Sequence, residues 1–184
     1  MKKYGLLKYS FSVMLRIAMF SLLALMLNGA YLLPGGGDIW LWIAEACNTV
    51  FVIGFIYPFA WSEGFRDVNR IRIKSVDKLT AKGFIGGAIG AVPFMLISFC
   101  FILIKLGVLS LDLLVLIRLM AAPFLAFSLT MLPITAKTAA ELSWANAIIC
   151  FLLPLFYVLL SGIGYELGLK RFSITDKLIY KDNM

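Results

Sequence analysis

The sequence predicts an all-α fold, a polytopic integral membrane protein built as a bundle of about five transmembrane helices. Three observations carry this reading. Of the 184 residues, 62% are hydrophobic and 15% charged, against roughly half and a quarter in a soluble domain. The apolar residues lie in long continuous runs. Lysine and arginine gather at the ends of those runs, where basic side chains meet lipid headgroups. The mean hydropathy of +0.96 belongs with oil as the solvent, because a water-soluble fold of this composition would expose broad apolar patches and aggregate.

A run of about 18 or more apolar residues suffices to cross a hydrocarbon core of roughly 30 Å. The first such run, 11–33, is interrupted only by Arg16. That arginine lies close enough to the basic start (Lys2, Lys3, Lys8) to extend its head group back to the interface. Pro34 and the three glycines after it end the run. The second run, 39–61, holds one charge, Glu45, between Trp40 and Trp42 at one end and Tyr57 and Trp61 at the other, an aromatic belt at both interfaces. The third, 83–104, is uncharged; the fourth, 113–133, carries only Arg118; the fifth, 144–165, is again uncharged. Barrel strands would alternate polar and apolar residues over about ten positions, and these runs do not. A basic start followed by an apolar stretch has the outline of a secretory signal, but this stretch is too long and lacks a convincing cleavage site, so it is read as a retained span. The whole chain, 1–184, is read as one membrane domain with a basic loop at 62–82 and a polar tail at 166–184.

Orientation follows from charge. The loop 62–82 holds Arg66, Arg70, Arg72, Lys74, Lys78 and Lys82 against Glu63, Asp67 and Asp77, while the loop after the first span holds only Asp38. The N-terminus and the basic loop are therefore expected in the cytoplasm, with the chain in the cell membrane. The loop is expected either as a solvated connector or as an amphipathic helix on the membrane surface. Five crossings would put the C-terminus outside, yet Lys170, Arg171, Lys177 and Lys181 give it the look of a cytoplasmic tail. Either the tail is an exception to a statistical rule, or 106–138 forms two short helices or a re-entrant hairpin broken near Pro123. Five full spans is the preferred count.

Composition excludes several chemistries. There is no histidine, and Cys47, Cys100 and Cys150 fall in three different runs, so a Cys/His metal site or a histidine triad has no residues to use. The thiols are read as small apolar residues. No cofactor is expected. The net charge of +7 is accounted for by the lipid interface, and no basic face with interleaved aromatics points to nucleic acid. The glycine-rich stretches lack the Lys-Ser/Thr pair of a phosphate loop.

Charges inside spans are functional hypotheses by default. Glu45 and Arg118 lie at similar depths, roughly 9 Å inside the outer face at about 1.5 Å per residue, and are expected to pair between helices. Asn48, one turn below Glu45, and Asp112, near the mouth, are expected to complete a polar cluster, with Asn28 bordering it. Its alternatives are a structural ion pair or two residues that snorkel separately. Gly86 with Gly90, and Gly164 with Gly168, have GxxxG spacing and are expected to serve helix packing within the chain.

With only scattered serines and threonines as nucleophiles, the chain is not expected to be an enzyme. The favoured role is an accessory or assembly subunit of a membrane complex; the alternative is a small transporter or substrate-binding subunit with a polar pocket between helices. The bilayer is the first partner, and other membrane subunits or a second copy are the next. Replacing Glu45 or Arg118 alone is expected to destabilise more than replacing both, because one deletion leaves an unpaired charge in low dielectric. Thermal unfolding of the two single variants and the double variant in detergent reads this, and additive losses would remove the pair.

Overall fold

A computed structural model describes residues 4–32, 38–73, 81–114, 116–117, 121–124 and 141–170. No strand occurs among them. The helices are α1 (Tyr4–Leu32), α2 (Asp38–Arg72), α3 (Lys82–Lys105), α4 (Trp144–Leu152) and α5 (Leu155–Leu169), with single 3-10 turns at Leu111–Leu113 and Ala122–Phe124. Among the described residues four helical rods are long and apolar enough to cross a membrane: α1, α2, α3, and α4 with α5 taken together.

Each rod is apolar on both its inner and its outer face. On α1 the buried residues Tyr9, Val13, Ile17, Phe20 and Ala24 follow one helical stripe, while Leu7, Phe11, Leu15, Met19, Leu22 and Met26 follow the opposite one and are exposed. A helix in water would make that second stripe polar. Outward-facing large apolar side chains on every rod, such as Phe51 of α2, Leu96 of α3 and Leu159 of α5, are what a hydrocarbon solvent permits, and they fit a membrane protein.

Proline sets the continuity of the rods. Pro58 and Pro93 sit inside α2 and α3 without ending them. Pro154 separates α4 from α5: the chain turns at Leu153 and Pro154, then resumes with Tyr157 N–H donating to Pro154 O at 3.1 Å. The fifth expected span, 144–165, is thus one rod broken at a proline and prolonged to Leu169.

Two expectations change. The basic loop expected at 62–82 is much shorter, since α2 continues as helix to Arg72 and α3 begins at Lys82. Pairs at i and i+3 support that continuation: Glu63 with Arg66 at 2.8 Å and Asp67 with Arg70 at 2.9 Å. With 35 residues, α2 is about 52 Å long, well beyond the roughly 30 Å of a hydrocarbon core. The span expected at 113–133 lies mostly outside the described residues, so the expected count of five is not reproduced: four spanning rods are described. Of that stretch, Ala121, Ala122, Pro123 and Phe124 form a buried turn packed against α1 and α2.

Helix direction alternates, and both ends of the bundle show it. Tyr9 from the start of α1 contacts Ser161 in the middle of α5, and Tyr165 in the last turns of α5 contacts Asp67 in the last turns of α2. At the other end the Lys105 ammonium, closing α3, lies 6.0 Å from the ring centre of Trp144, opening α4. The start of the first rod and the finish of the last therefore share one end.

Glycine seams bring the rods together. Gly86 and Gly90 face Tyr9 and Ser10 of α1, while Gly83 and Gly87 on the neighbouring face of α3 meet Tyr165 and Ser161 of α5. Gly64 of α2 abuts the Tyr165 carbonyl, and Gly164 and Gly168 of α5 abut the carbonyls of Tyr57 and Trp61. A methyl group at any of these positions would occupy space held by a neighbour. Gly54, on the same helix as Gly64, has open space instead. Gly64→Leu is expected to force α2 from α5 and cost at least about 2 kcal/mol, while Gly54→Leu leaves the thermal midpoint nearly unchanged; size-exclusion profiles and melting curves in detergent distinguish them.

Candidate functional site

Two buried polar centres occur among the described residues, and the sequence reading anticipated part of one. The first forms where four inward stripes reach the same end of the bundle. On α2 the inward stripe runs Ala44, Asn48, Val52, Ile56, Ala60, Gly64 and then Asp67. Asp67 is buried because it continues this stripe past the apolar run, and only 1% of it is exposed. Tyr9 heads the stripe of α1, Lys82 that of α3, and Tyr165 lies one turn beyond Ser161 on α5.

These side chains satisfy one another. Asp67 Oδ2 accepts from Lys82 Nζ at 2.5 Å and from the Tyr165 hydroxyl at 2.8 Å, while its Oδ1 accepts from Arg70 at 2.9 Å. Ser161 Oγ donates to Gly83 O at 3.0 Å, which commits its one hydrogen, so the 2.7 Å contact with Tyr9 is donated by the tyrosine. Lys82 Nζ stands 5.8 Å and 5.6 Å from the ring centres of Tyr9 and Tyr165, and the two rings meet edge to face. A carboxylate with three donors, two of them cationic, is a strong acceptor site with most of its capacity engaged. Its chemistry is that of a clamp joining α1, α2, α3 and α5.

The second centre lies towards the opposite end. Asn48 Nδ2 donates to Asn28 Oδ1 at 2.8 Å, and Asn28 Nδ2 donates to the Ala122 carbonyl at 2.8 Å. Irregular backbone at membrane depth persists only where protein groups satisfy it, and Asn28 does this for the carbonyl just before Pro123. Glu45, one turn from Asn48, is also buried. It lines an open groove of about 390 Å³ with Thr49, Phe124, Ile149, Leu152, Leu153 and Phe156.

Of the four residues expected in one polar cluster, Glu45 and Asn48 lie on the same buried side of α2. Asp112 does not join them. It is exposed and occupied locally, with Ser110 Oγ donating to its Oδ2 at 3.0 Å and accepting from its N–H at 3.3 Å. Gly107, whose φ is +74°, precedes the 3-10 turn that holds Asp112, whose neighbours Leu111 and Leu113 pack inward while Asp112 is exposed. Arg118 lies outside the described residues. Asn28, expected at the border, is central. No group of three or more cysteine, aspartate or glutamate side chains that could hold a metal occurs among the described residues. Sequence reading missed the Asp67 centre because it assigned Asp67 and Lys82 to a loop. The signal was present in the four- and three-residue spacing from Ala60 through Gly64 to Asp67.

Comparison with known proteins finds no match: no family model, no curated protein and no solved structure is similar to this chain.

Lys82→Met is expected to destabilise by about 3 kcal/mol, because it leaves the buried Asp67 without its nearest cation. Pairing it with Asp67→Leu recovers part of the loss. A double-mutant cycle on thermal or denaturant unfolding in detergent measures the coupling, and zero coupling would contradict the clamp.

Proposed function

We propose that this chain is a non-enzymatic accessory or assembly subunit of a membrane complex. The observation that carries this reading is the use made of the buried polar groups. Asp67, Lys82, Tyr9, Tyr165 and Ser161 bond to one another across four helices, and Asn28 and Asn48 bond to each other and to backbone. A carrier needs polar side chains open to a path and helices free to part, whereas these groups hold helices together. Tight glycine seams add to the same rigidity.

A second reading, a small transporter or substrate-binding subunit, draws support from the groove beside Glu45. Its apolar walls with one carboxylate have the composition of a ligand site. Purification from native membranes in mild detergent separates the two. Stoichiometric co-purifying membrane subunits are expected for the first reading; a monomer or homodimer whose melting temperature rises with a small ligand supports the second.

For orientation we propose that the N-terminus, the C-terminus and the end of α2 all face the cytoplasm in the cell membrane. Supporting this, Lys8, Arg66, Arg70, Arg72, Lys82 and Lys170 lie at the end of the bundle where α1 starts and α5 finishes, and positive charge favours the inner side. An even number of crossings then removes the conflict between the basic tail and a five-span count. Tags at both termini are expected to be accessible only after the inner face is opened; a C-terminal tag reachable from outside intact cells would reverse the assignment.

A further inference from the structure

Arg16 has an unusual position for a cation. It stands inside the first apolar run, on the face of α1 turned to α2, with its guanidinium carbon 4.2 Å from the ring centre of Phe59. No carboxylate lies within ion-pair distance of it among the described residues. A charge at this depth needs an anion or a path to water.

Beside it α1 and α2 leave two adjoining hollows. The larger, about 470 Å³, is bordered by Arg16 and Arg66 at its polar end and by Gly54, Phe55 and Pro58 deeper in the apolar run. The smaller, about 170 Å³, adds Lys8 and Arg70 and the single acid Glu63, which already pairs with Arg66 at 2.8 Å and approaches Arg70 at 3.7 Å. The two share Phe59 and Arg66. Lys8, Arg16 and Arg66 thus face one carboxylate, Glu63, at the headgroup end, while Arg70 is also bonded to Asp67 at 2.9 Å. From Arg66 to Gly54 the hollow follows α2 for about 18 Å at 1.5 Å per residue, the reach of an acyl chain running inward from its phosphate. A soluble anion would occupy only the polar half.

We propose that this groove binds an anionic phospholipid, with the phosphate held by Arg16 and Arg66 and one acyl chain lying along Gly54, Phe55 and Pro58. Guanidinium groups suit phosphate through paired N–H donors, and basic pockets between helices at the inner leaflet are where anionic headgroups lodge.

The test uses the full chain in a mild nonionic detergent, titrated with dioleoylphosphatidylglycerol, dioleoylphosphatidylcholine or inorganic phosphate, with bound lipid counted by native mass spectrometry. The phosphatidylglycerol is expected to bind one to one, at least about tenfold more tightly than the choline lipid, and free phosphate not to compete. Arg16→Gln and Arg66→Gln should each weaken it severalfold, while Arg72→Gln, beyond the groove, leaves it unchanged. Gly54→Leu retains every charge and fills the acyl half, so it should weaken binding too, and it decides the matter if an arginine variant does not fold. Equal binding of both lipids, competition by phosphate, an equal loss on Arg72→Gln, or full binding by Gly54→Leu would overturn the proposal.

Discussion

In a hydrocarbon solvent, packing one apolar helix against another gains little from the hydrophobic effect, because lipid tails are as apolar as leucine. Whatever holds this bundle must therefore come from close van der Waals contact and from polar groups that find partners only inside the protein. The architecture uses both. Glycines on α2, α3 and α5 let backbone approach backbone, and the Asp67 carboxylate gathers donors from Lys82, Arg70 and Tyr165. The seams and the carboxylate support each other: Gly64 of α2 and Gly83 of α3 both pack against Tyr165 of α5, which reaches Asp67.

The two polar centres play different parts. The one around Asp67 lies at the basic end, and it joins α2, α3 and α5 through charge-assisted bonds and α1 through the hydroxyl contact of Tyr9 with Ser161. The one around Asn28 and Asn48 lies towards the opposite end, is joined through neutral amides, and tends the backbone of an irregular segment. Pro123 removes a donor from that segment, and the Asn28 amide supplies a partner for the adjoining carbonyl. Between them runs an aromatic and aliphatic core of Val13, Ile17, Phe20, Val52, Ile56 and Phe94. A second core of Phe101, Ile104, Leu114, Ile117, Leu142 and Ala147 closes the end where α3 stops and α4 begins.

The proposed assembly role rests on these features holding the helices together. The proposed lipid groove is consistent with that role, since Arg16 and Arg66 border a groove between α1 and α2 while Asp67, Asn28 and Asn48 are engaged by partners inside the bundle. The groove beside Glu45 is the contrasting feature, an apolar hollow with a carboxylate on the side of the bundle away from the basic end.

The sequence alone determined the class of fold and most of the spans, because continuous apolar runs of this length can satisfy their backbone in oil only as helices. It also marked Glu45, Asn48 and the glycine pairs, since polar or small residues stand out against a uniformly apolar background. It misread residues 62–72, where charge density suggested a loop, because ion pairs along a helix and a carboxylate buried by a neighbouring helix look the same as a solvated stretch in one dimension. Only the tertiary structure decided that Asp67, Lys82, Tyr165 and Tyr9 meet and that Asp112 stands apart. Burial of a polar residue at a helix end depends on which partners the other helices bring to it, and no local pattern encodes that.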